Sequence, residues 1–508
     1  MSIKKGKVYL IGAGPGDPGL ITLKAINCLA KADVVVYDHL VSSLILDYAP
    51  ALAEKIYAGK IGSKHFAEQD EINGLLIRKA RLGKTVARLK GGDPFVLGRG
   101  GEEAEALQKN GILFEIVPGV TSAIAVPAYA GIPVTHRSLA SSLAIITGHE
   151  DPSKKSSSIK WDKLATATDT LVILMGMQKL PQITALLIKH GRKASTPVAV
   201  IKDGTLPSQV SLTGTLKNIA ASVSKAGIGA PAVIVVGEVV KLRESLRWFD
   251  SLPLFGKRIL VTRAGSQAGS FERLLTEHGA LPVRYSSIEI KPLTANKNLD
   301  NALANLDRYD WIAFTSVNGV EIFFSRLRDS GLDARCLSGL KIGAIGPATG
   351  RALQKIGITA DYLPAEFTGR GFVAGLKKRQ AGGQRFLLPR ADIADDEITA
   401  GLKKLGAEVD EIAVYSTIRP RSNKTRLKDL LFKDSIDVIT FTSSSTVTNL
   451  LCSLSKGDIA RIKPKIACIG PKTARTAAEA GLKIAIIAGE QTMPGLLAAM
   501  EDYFRKEA

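Results

Sequence analysis

The chain has 508 residues, 45% hydrophobic and 23% charged, with 68 Lys and Arg against 48 Asp and Glu for a net charge of +20. Single cores rarely grow past about 250–300 residues, so one domain is excluded. No apolar run approaches the ~18 residues of a membrane span. The four cysteines (Cys28, Cys336, Cys452, Cys468) form no CxxC pair, and the six histidines are scattered, which argues against a disulfide framework, a structural zinc or an iron–sulfur cluster.

The N-terminus runs straight into a strand-like Val8-Tyr9-Leu10-Ile11 with no apolar segment or cleavage site, so no signal peptide is expected and the protein is read as cytoplasmic. The strand ends in Gly12-Ala13-Gly14-Pro15-Gly16-Asp17-Pro18-Gly19. A dinucleotide fingerprint would need glycine where Asp17 stands, yet three glycines still let a ligand approach the backbone. A helix over 20–31 and a buried strand at Val34-Val35-Val36-Tyr37 follow. Gly83-Lys84-Thr85 resembles the end of a P-loop, but Arg78 occupies the position of its first glycine.

In residues 88–103, five glycines crowd around Asp93 with basic residues on both sides. A mobile surface loop would explain the glycines but not Asp93-Pro94-Phe95 among them. A loop apposed to a small polar ligand explains both, with Asp93 accepting from a hydroxyl or amine. Small residues at 118–123 and 127–137 allow close packing of a helix on the same ligand. Strand-like runs at 143–146, 171–174, 198–201 and 233–236 continue a βα alternation, which predicts an α/β class. No GxSxG elbow or HExxH motif is present.

Residues 246–256 break the pattern with a Pro, a Gly and no helical period, and Arg258-Ile259-Leu260-Val261 starts a fresh strand. Two domains are placed at 1–249 (lobes about 1–117 and 118–249) and 250–508. The second contains an internal repeat: Phe314-Thr315-Ser316 recurs as Phe441-Thr442-Ser443, and Ile345-Gly346-Pro347 as Ile469-Gly470-Pro471. Serine, threonine and free amides at strand ends and helix starts suit carboxylate binding, and they equally suit helix capping. The positive charge, half of it in residues 1–250, would attract an anion or serve solubility alone.

GAGPGDPGLITLKA, VVVYDHLVS, RLKGGDPFVLGRGGEE, VPGVTSAIAVPAYAGIPVTHR and ITGH, with LVILMGM, AVIKDGT and AVIVVGEVV, resemble uroporphyrinogen-III C-methyltransferase of the tetrapyrrole methylase family, in unbroken order over residues 6–241. The resemblance implies two α/β lobes with S-adenosylmethionine in the cleft between them. It places Pro15, Gly91, Gly92, Asp93, Val96, Thr121, Ser122, Met175 and Gly204 at donor-binding positions. Asp38 falls on the family's proposed proton acceptor, and Lys60 on its proposed donor, although the usual Gly-Lys-Arg is Gly59-Lys60-Ile61 here. Val96 and Met175 fit core packing as well as a ligand contact.

Residues 257–505 resemble uroporphyrinogen-III synthase through LVTR, IAFTSVNGV, IGP, LLPR, VYST, FTSSSTV and a second IGP. That resemblance implies two lobes joined by a two-stranded connection, one lobe being discontinuous (about 257–290 plus 420–508) and the other spanning about 291–419. Tyr415 matches the family's acid candidate and fits a structural tyrosine equally well. Arg263, Thr315, Ser316, Arg390, Thr442, Ser443 and Thr473 are candidates for binding substrate carboxylates.

Together the resemblances imply a bifunctional enzyme that cyclises hydroxymethylbilane to uroporphyrinogen III and methylates it twice to precorrin-2, toward sirohaem or cobalamin. S-adenosylmethionine is the expected methyl donor and no metal is expected. The expected partners are small tetrapyrroles, with neither nucleic acid nor membrane, and a homodimer through the methyltransferase half. The alternatives are the same methylase fold acting on a corrin precursor or RNA, and a basic nucleic-acid-binding protein.

Overall fold

The computed structural model describes residues 6–59, 69–149, 158–263, 265–377, 379, 381–393, 396–418, 424–433 and 436–507. The chain divides into two compact units, Met1–Lys257 with Glu272–Pro282, and Arg258–Phe271 with Val283–Glu507. Among the described residues no helix is long and apolar enough to cross a membrane.

The first unit opens with a five-stranded sheet of β1 (Lys7–Gly12), β2 (Val34–Tyr37), β3 (Glu54–Tyr57), β4 (Thr85–Lys90) and β5 (Leu113–Val117), in the order β3-β2-β4-β1-β5. Its pairings are all parallel. Alternation sorts the strands onto two cores. Val8, Leu10, Val34, Val36 and Val86 pack under α2 (Gln69–Arg81) and α3 (Gly100–Lys109). Ile11, Val35, Ala87 and Leu89 face α1 (Leu23–Leu29), whose first turn is capped where the Ala25 amide donates to Thr22 Oγ1 at 3.1 Å.

The chain then enters α4 (Ser122–Tyr129) and a second sheet of β6 (Leu143–Thr147), β7 (Thr170–Leu174), β8 (Pro197–Lys202), β9 (Val210–Thr215) and β10 (Ala232–Val236), in the order β6-β7-β10-β8-β9. Here β10 runs antiparallel to both neighbours, so the sheet is mixed. Helices α5 (Trp161–Ala167), α6 (Leu180–Lys189) and α7 (Ile219–Lys225) accompany it, and α8 (Arg243–Leu246) follows.

The second unit holds two further sheets. β11 (Arg258–Val261), β12 (Leu281–Arg284), β18 (Val438–Phe441), β19 (Lys465–Cys468) and β20 (Ile484–Ile487) form the order β12-β11-β18-β19-β20. Between them in sequence lies the sheet of β13 (Glu289–Pro292), β14 (Trp311–Phe314), β15 (Lys341–Ala344), β16 (Arg385–Ala391) and β17 (Glu408–Ile418), in the order β13-β17-β16-β14-β15. The chain therefore leaves the first sheet through β12 and returns to it after β17. Antiparallel pairing of β13 with β17 lays the outgoing and returning segments side by side.

Helix α9 (Gly265–Glu277) follows β11. With the β13–β17 sheet go α10 (Lys297–Ala304), α11 (Val317–Asp329), α12 (Pro347–Gln354), α13 (Gly369–Lys377) and α14 (Glu397–Lys404). After β17 come α15 (Lys424–Phe432), α16 (Ser444–Leu451), α17 (Lys456–Ala460), α18 (Pro471–Glu479) and α19 (Met493–Glu507). The strand–FTS–helix and strand–IGP–helix units occur once in each lobe, so the sequence repeat is a structural one. The fold is a two-lobed methylase-type α/β unit followed by a two-lobed α/β unit with an internal repeat.

Candidate active sites

In the first unit, β4, β1 and β5 lie side by side, and the loops at their carboxyl ends meet main chain to main chain. The Gly14 amide donates to Gly92 O at 3.2 Å, Gly92 N to Gly14 O at 2.7 Å, and Ala13 N to Lys90 O at 2.8 Å. A Cβ on Gly12 would stand 2.5 Å from Gly119 Cα, and one on Gly119 would stand 2.5 Å from Gly92 O. No side chain fits that junction, and it lies at the strand edge where open parallel sheets take their ligands.

Asp93 fastens the junction. Its Oδ1 accepts from the Phe95 amide at 2.8 Å and its Oδ2 from the Gly119 amide at 3.0 Å. The carboxylate expected to meet a ligand hydroxyl or amine thus already ties two loops together, with further lone pairs on both oxygens.

Residues of the following lobe hydrogen-bond to the loop after β1. Asp17 N donates to Thr205 Oγ1 at 3.0 Å, and Tyr129 Oη donates to Asp17 Oδ2 at 2.6 Å. Burial, and then the Asp17 hydrogen bond, push the Tyr129 phenol well above its ordinary range, so it remains a donor. Gly204 is pressed against Val126, whose Cγ1 would be 2.3 Å from an added Cβ. Among the described residues of this unit, five non-glycines adopt the left-handed region: Leu97, Arg99, Met175, Asp203 and Thr205. Such strain persists only where surrounding packing enforces it, and it gathers at ligand clamps. Met175 is 52% exposed, so it is not a core residue. Val96 and Pro15 are half-buried, Thr121 caps α4 by accepting from Ala123 N at 3.3 Å, and Ser122 is the helix's first residue.

Asp38 follows β2. Its Oδ1 accepts from Leu40 N at 3.0 Å, and its Oδ2 lies 3.7 Å from Arg88 Nη2. A Cβ on Gly91 would sit 2.7 Å from Leu40 Cβ, so the Asp38 loop abuts the glycine junction. Lys60 lies outside the described residues.

In the second unit, Ser316 caps α11, its Oγ accepting from Gly319 N at 3.0 Å, and the same Oγ lies 3.0 Å from Tyr415 Oη. Two expected residues from β14 and β17 therefore touch, next to Thr315. In the other lobe Ser443 forms a capping box with Thr446, Thr442 and Arg263 follow β18 and β11, and Thr473 is buried in the first turn of α18. Burial lowers the pKa of Arg263, whose Nη1 lies 3.4 Å from Met493 Sδ. Arg390 is ion-paired. It is buried in β16, with Nη1 3.3 Å from Glu411 Oε1 and donating to Thr399 Oγ1 at 3.2 Å, so its charge is met inside the lobe.

A cleft of about 630 Å³ opens in this unit, lined among others by Pro347, Arg351, Phe367, Thr368, Gln491 and Thr492. It exposes a third matched element of the two-copy repeat that sequence reasoning missed. Glu366-Phe367-Thr368 and Glu490-Gln491-Thr492 precede α13 and α19, and Gly371 N and Gly495 N each donate to the preceding threonine Oγ1 at 3.0 Å. The signal was present: Ala365-Glu366-x-Thr368-x-x-Gly371 and Gly489-Glu490-x-Thr492-x-x-Gly495 are spaced as the IGP copies are.

Residues 7–220 match the model of the Tetrapyrrole (Corrin/Porphyrin) Methylases, and residues 269–498 that of Uroporphyrinogen-III synthase HemD. A porphyrin biosynthesis protein HemD of Ruminiclostridium josui is 41% identical over 495 residues, 97% of this chain and 97% of that protein. The chain belongs to this family of fused methylase–synthase proteins. The methylase unit alone is 55% identical over 246 residues to an S-adenosyl-L-methionine-dependent uroporphyrinogen III methyltransferase of Methanosarcina barkeri, covering 48% of this chain and 96% of that protein. A uroporphyrin-III C-methyl transferase structure from Thermus thermophilus, complexed with S-adenyl homocysteine, aligns at 40% identity and a TM-score of 0.41, covering 46% of this chain and 99% of that one.

In the methylase unit, sequence reasoning missed Asp17, Tyr129, Thr205 and Gln209 as an interlobe bridge. Thr205 N donates to Gln209 Oε1 at 3.0 Å, and Gln209 Nε2 to Tyr129 O at 3.4 Å. These are ordinary residues far apart in sequence, and no local pattern announces them. It also missed the buried charges of β4, where Arg88 and Lys90 read as flanking basic residues.

Proposed function

We propose that the methylase unit transfers methyl groups from S-adenosylmethionine to uroporphyrinogen III, twice, giving precorrin-2 on the branch to sirohaem and cobalamin. The synthase unit supplies that acceptor by closing hydroxymethylbilane with inversion of its last ring and loss of water. The observation that carries the reading is the side-chain-free junction of Gly12, Gly92 and Gly119, with the Asp38 loop packed on its flank at Gly91.

When bound, S-adenosylmethionine supplies an electrophilic sulfonium methyl. Main-chain groups around Pro15, Gly91, Gly92, Thr121, Ser122 and Gly204, with Asp93, Val96 and Met175, would hold the donor, and aligning it with the acceptor carbon is the larger part of the catalytic task. Asp38 Oδ2 accepts the proton released as the methylated ring regains neutrality. In the synthase unit Tyr415 Oη, beside Ser316 Oγ, donates a proton to the departing hydroxyl of hydroxymethylbilane. Thr315, Thr442, Ser443, Thr473 and Arg263 receive substrate carboxylates.

A coupled assay tests both halves. Hydroxymethylbilane given without the donor should yield uroporphyrinogen III, and with the donor a dimethylated product heavier by two CH2 units, since each methyl gained releases one proton. Uroporphyrinogen I alone would refute the synthase reading, and unmethylated type III in the presence of donor would refute the transferase reading.

A further inference from the structure

Beneath the Gly91-Gly92 turn lies a charged cluster that the proposed chemistry does not use. Arg88 and Lys90 alternate with Leu89 on β4, so both point to the face covered by α2 and α3. Their side chains are 5% and 6% exposed, and Glu103 on α3, at 0%, is their common acceptor. Glu103 Oε1 receives Lys90 Nζ at 2.7 Å, Gln69 Nε2 at 3.1 Å and Arg88 Nε at 3.3 Å. Its Oε2 is buried and has no hydrogen-bond partner among the described residues. Burial, and next the Arg88 charge, lower the pKa of Lys90, while Glu103 opposes both.

The guanidinium of Arg88 is fixed on two edges. Nε lies on Glu103, and Nη1 donates to Leu89 O at 3.0 Å. A planar fork held twice cannot rotate, so its remaining nitrogen, Nη2, is aimed at Asp38 Oδ2 3.7 Å away. The other Asp38 oxygen is occupied by the Leu40 amide. Buried ion clusters seldom raise stability above that of an apolar packing, so an ionic network next to Asp38 calls for a reason other than holding the fold.

We propose that Glu103 is a positioning residue for methyl transfer: it anchors the Arg88 guanidinium, whose free edge sets the orientation of the Asp38 carboxylate. The inference rests on the reading of Asp38 as proton acceptor. Without the Glu103 charge, Arg88 loses its second anchor and the Lys90 ammonium competes for Asp38.

The test is a double-mutant cycle on the full chain, reading single-turnover methyl transfer to uroporphyrinogen III, with S-adenosylhomocysteine affinity by calorimetry as control. E103Q should slow transfer by about 10- to 100-fold, the scale of a misplaced catalytic group, while changing that affinity by less than about twofold. E103D should recover part of the rate. In a D38N background E103Q should cost less than about twofold, the margin of ordinary additivity. R88K keeps the charge but cannot span both carboxylates, and it should show the same pattern whether or not E103Q folds.

Equal rate losses in both backgrounds, or a loss confined to cofactor-product affinity, would overturn the inference and leave the Asp38 reading standing. Wild-type transfer by D38N would remove the Asp38 reading and this inference with it.

Discussion

Tyr129 sets the strength of the polar link between the two methylase lobes. Its hydroxyl meets Asp17 Oδ2 at 2.6 Å, while its ring packs edge-on against Trp248 and Phe249 with both centroids 4.9 Å away. Y129F keeps the rings and removes the donor, stripping Asp17 of a charge-assisted hydrogen bond at a cost of about 1.5–3 kcal/mol. The methylase unit's melting temperature should fall by several degrees and S-adenosylmethionine affinity should weaken, because Asp17 lies in the loop proposed to bind the donor. The phenol's pKa is raised in the fold, so its contribution is fully present below the ordinary tyrosine value near 10 and is lost as pH rises toward the folded value. The stability gap between wild type and Y129F should therefore be flat from pH 6 to 9 and narrow only above about 10; a gap that stays undiminished above that pH would assign it to packing.

At the scale of elements, the repeated strand–Ser–helix unit allows a comparison within one chain. Ser316 and Ser443 do the same local work, each accepting an amide at the start of its helix, from Gly319 and Thr446. S316A and S443A should each cost about 1 kcal/mol of unfolding free energy, the usual value of a lost cap. Only S316A removes the partner of Tyr415, so S316A should also reduce kcat for uroporphyrinogen III formation, whereas S443A, at a proposed carboxylate contact, should raise KM and leave kcat within about twofold. Equal kcat for the two variants would separate Tyr415 from the Ser316 hydroxyl. These elements were legible in the sequence because their signals are local: a hydroxyl at a strand end, and proline at the first helical position after Gly346 and Gly470. The β4 cluster was not, because Arg-Leu-Lys alternates like a half-exposed strand. Only the order β3-β2-β4-β1-β5, fixed by contacts distant in sequence, puts β4 in the middle. The ion pair of Arg390 was hidden for the same reason: the sequence shows a basic residue at a strand end, and its partner Glu411 is 21 positions on in another strand.

At the scale of the whole molecule, the net charge of +20 cannot be assigned to any one contact. Surface ion pairs, such as Arg335 with Asp333 and Arg370 with Glu397, are well exposed and individually contribute little. A charge excess shared equally between residues 1–250 and the remainder instead acts through its summed field. Both proposed acceptors, hydroxymethylbilane and uroporphyrinogen III, carry eight carboxylates, so that field favours encounter over the chemical step. Raising salt from 0.1 to 1 M shortens the Debye length from ~10 to ~3 Å and removes most long-range attraction. For both activities kcat/KM for the tetrapyrrole should then fall by about tenfold or more, kcat should stay within about twofold, and KM for the cationic methyl donor should not rise. A tetrapyrrole KM indifferent to salt would mean that the positive charge serves solubility alone.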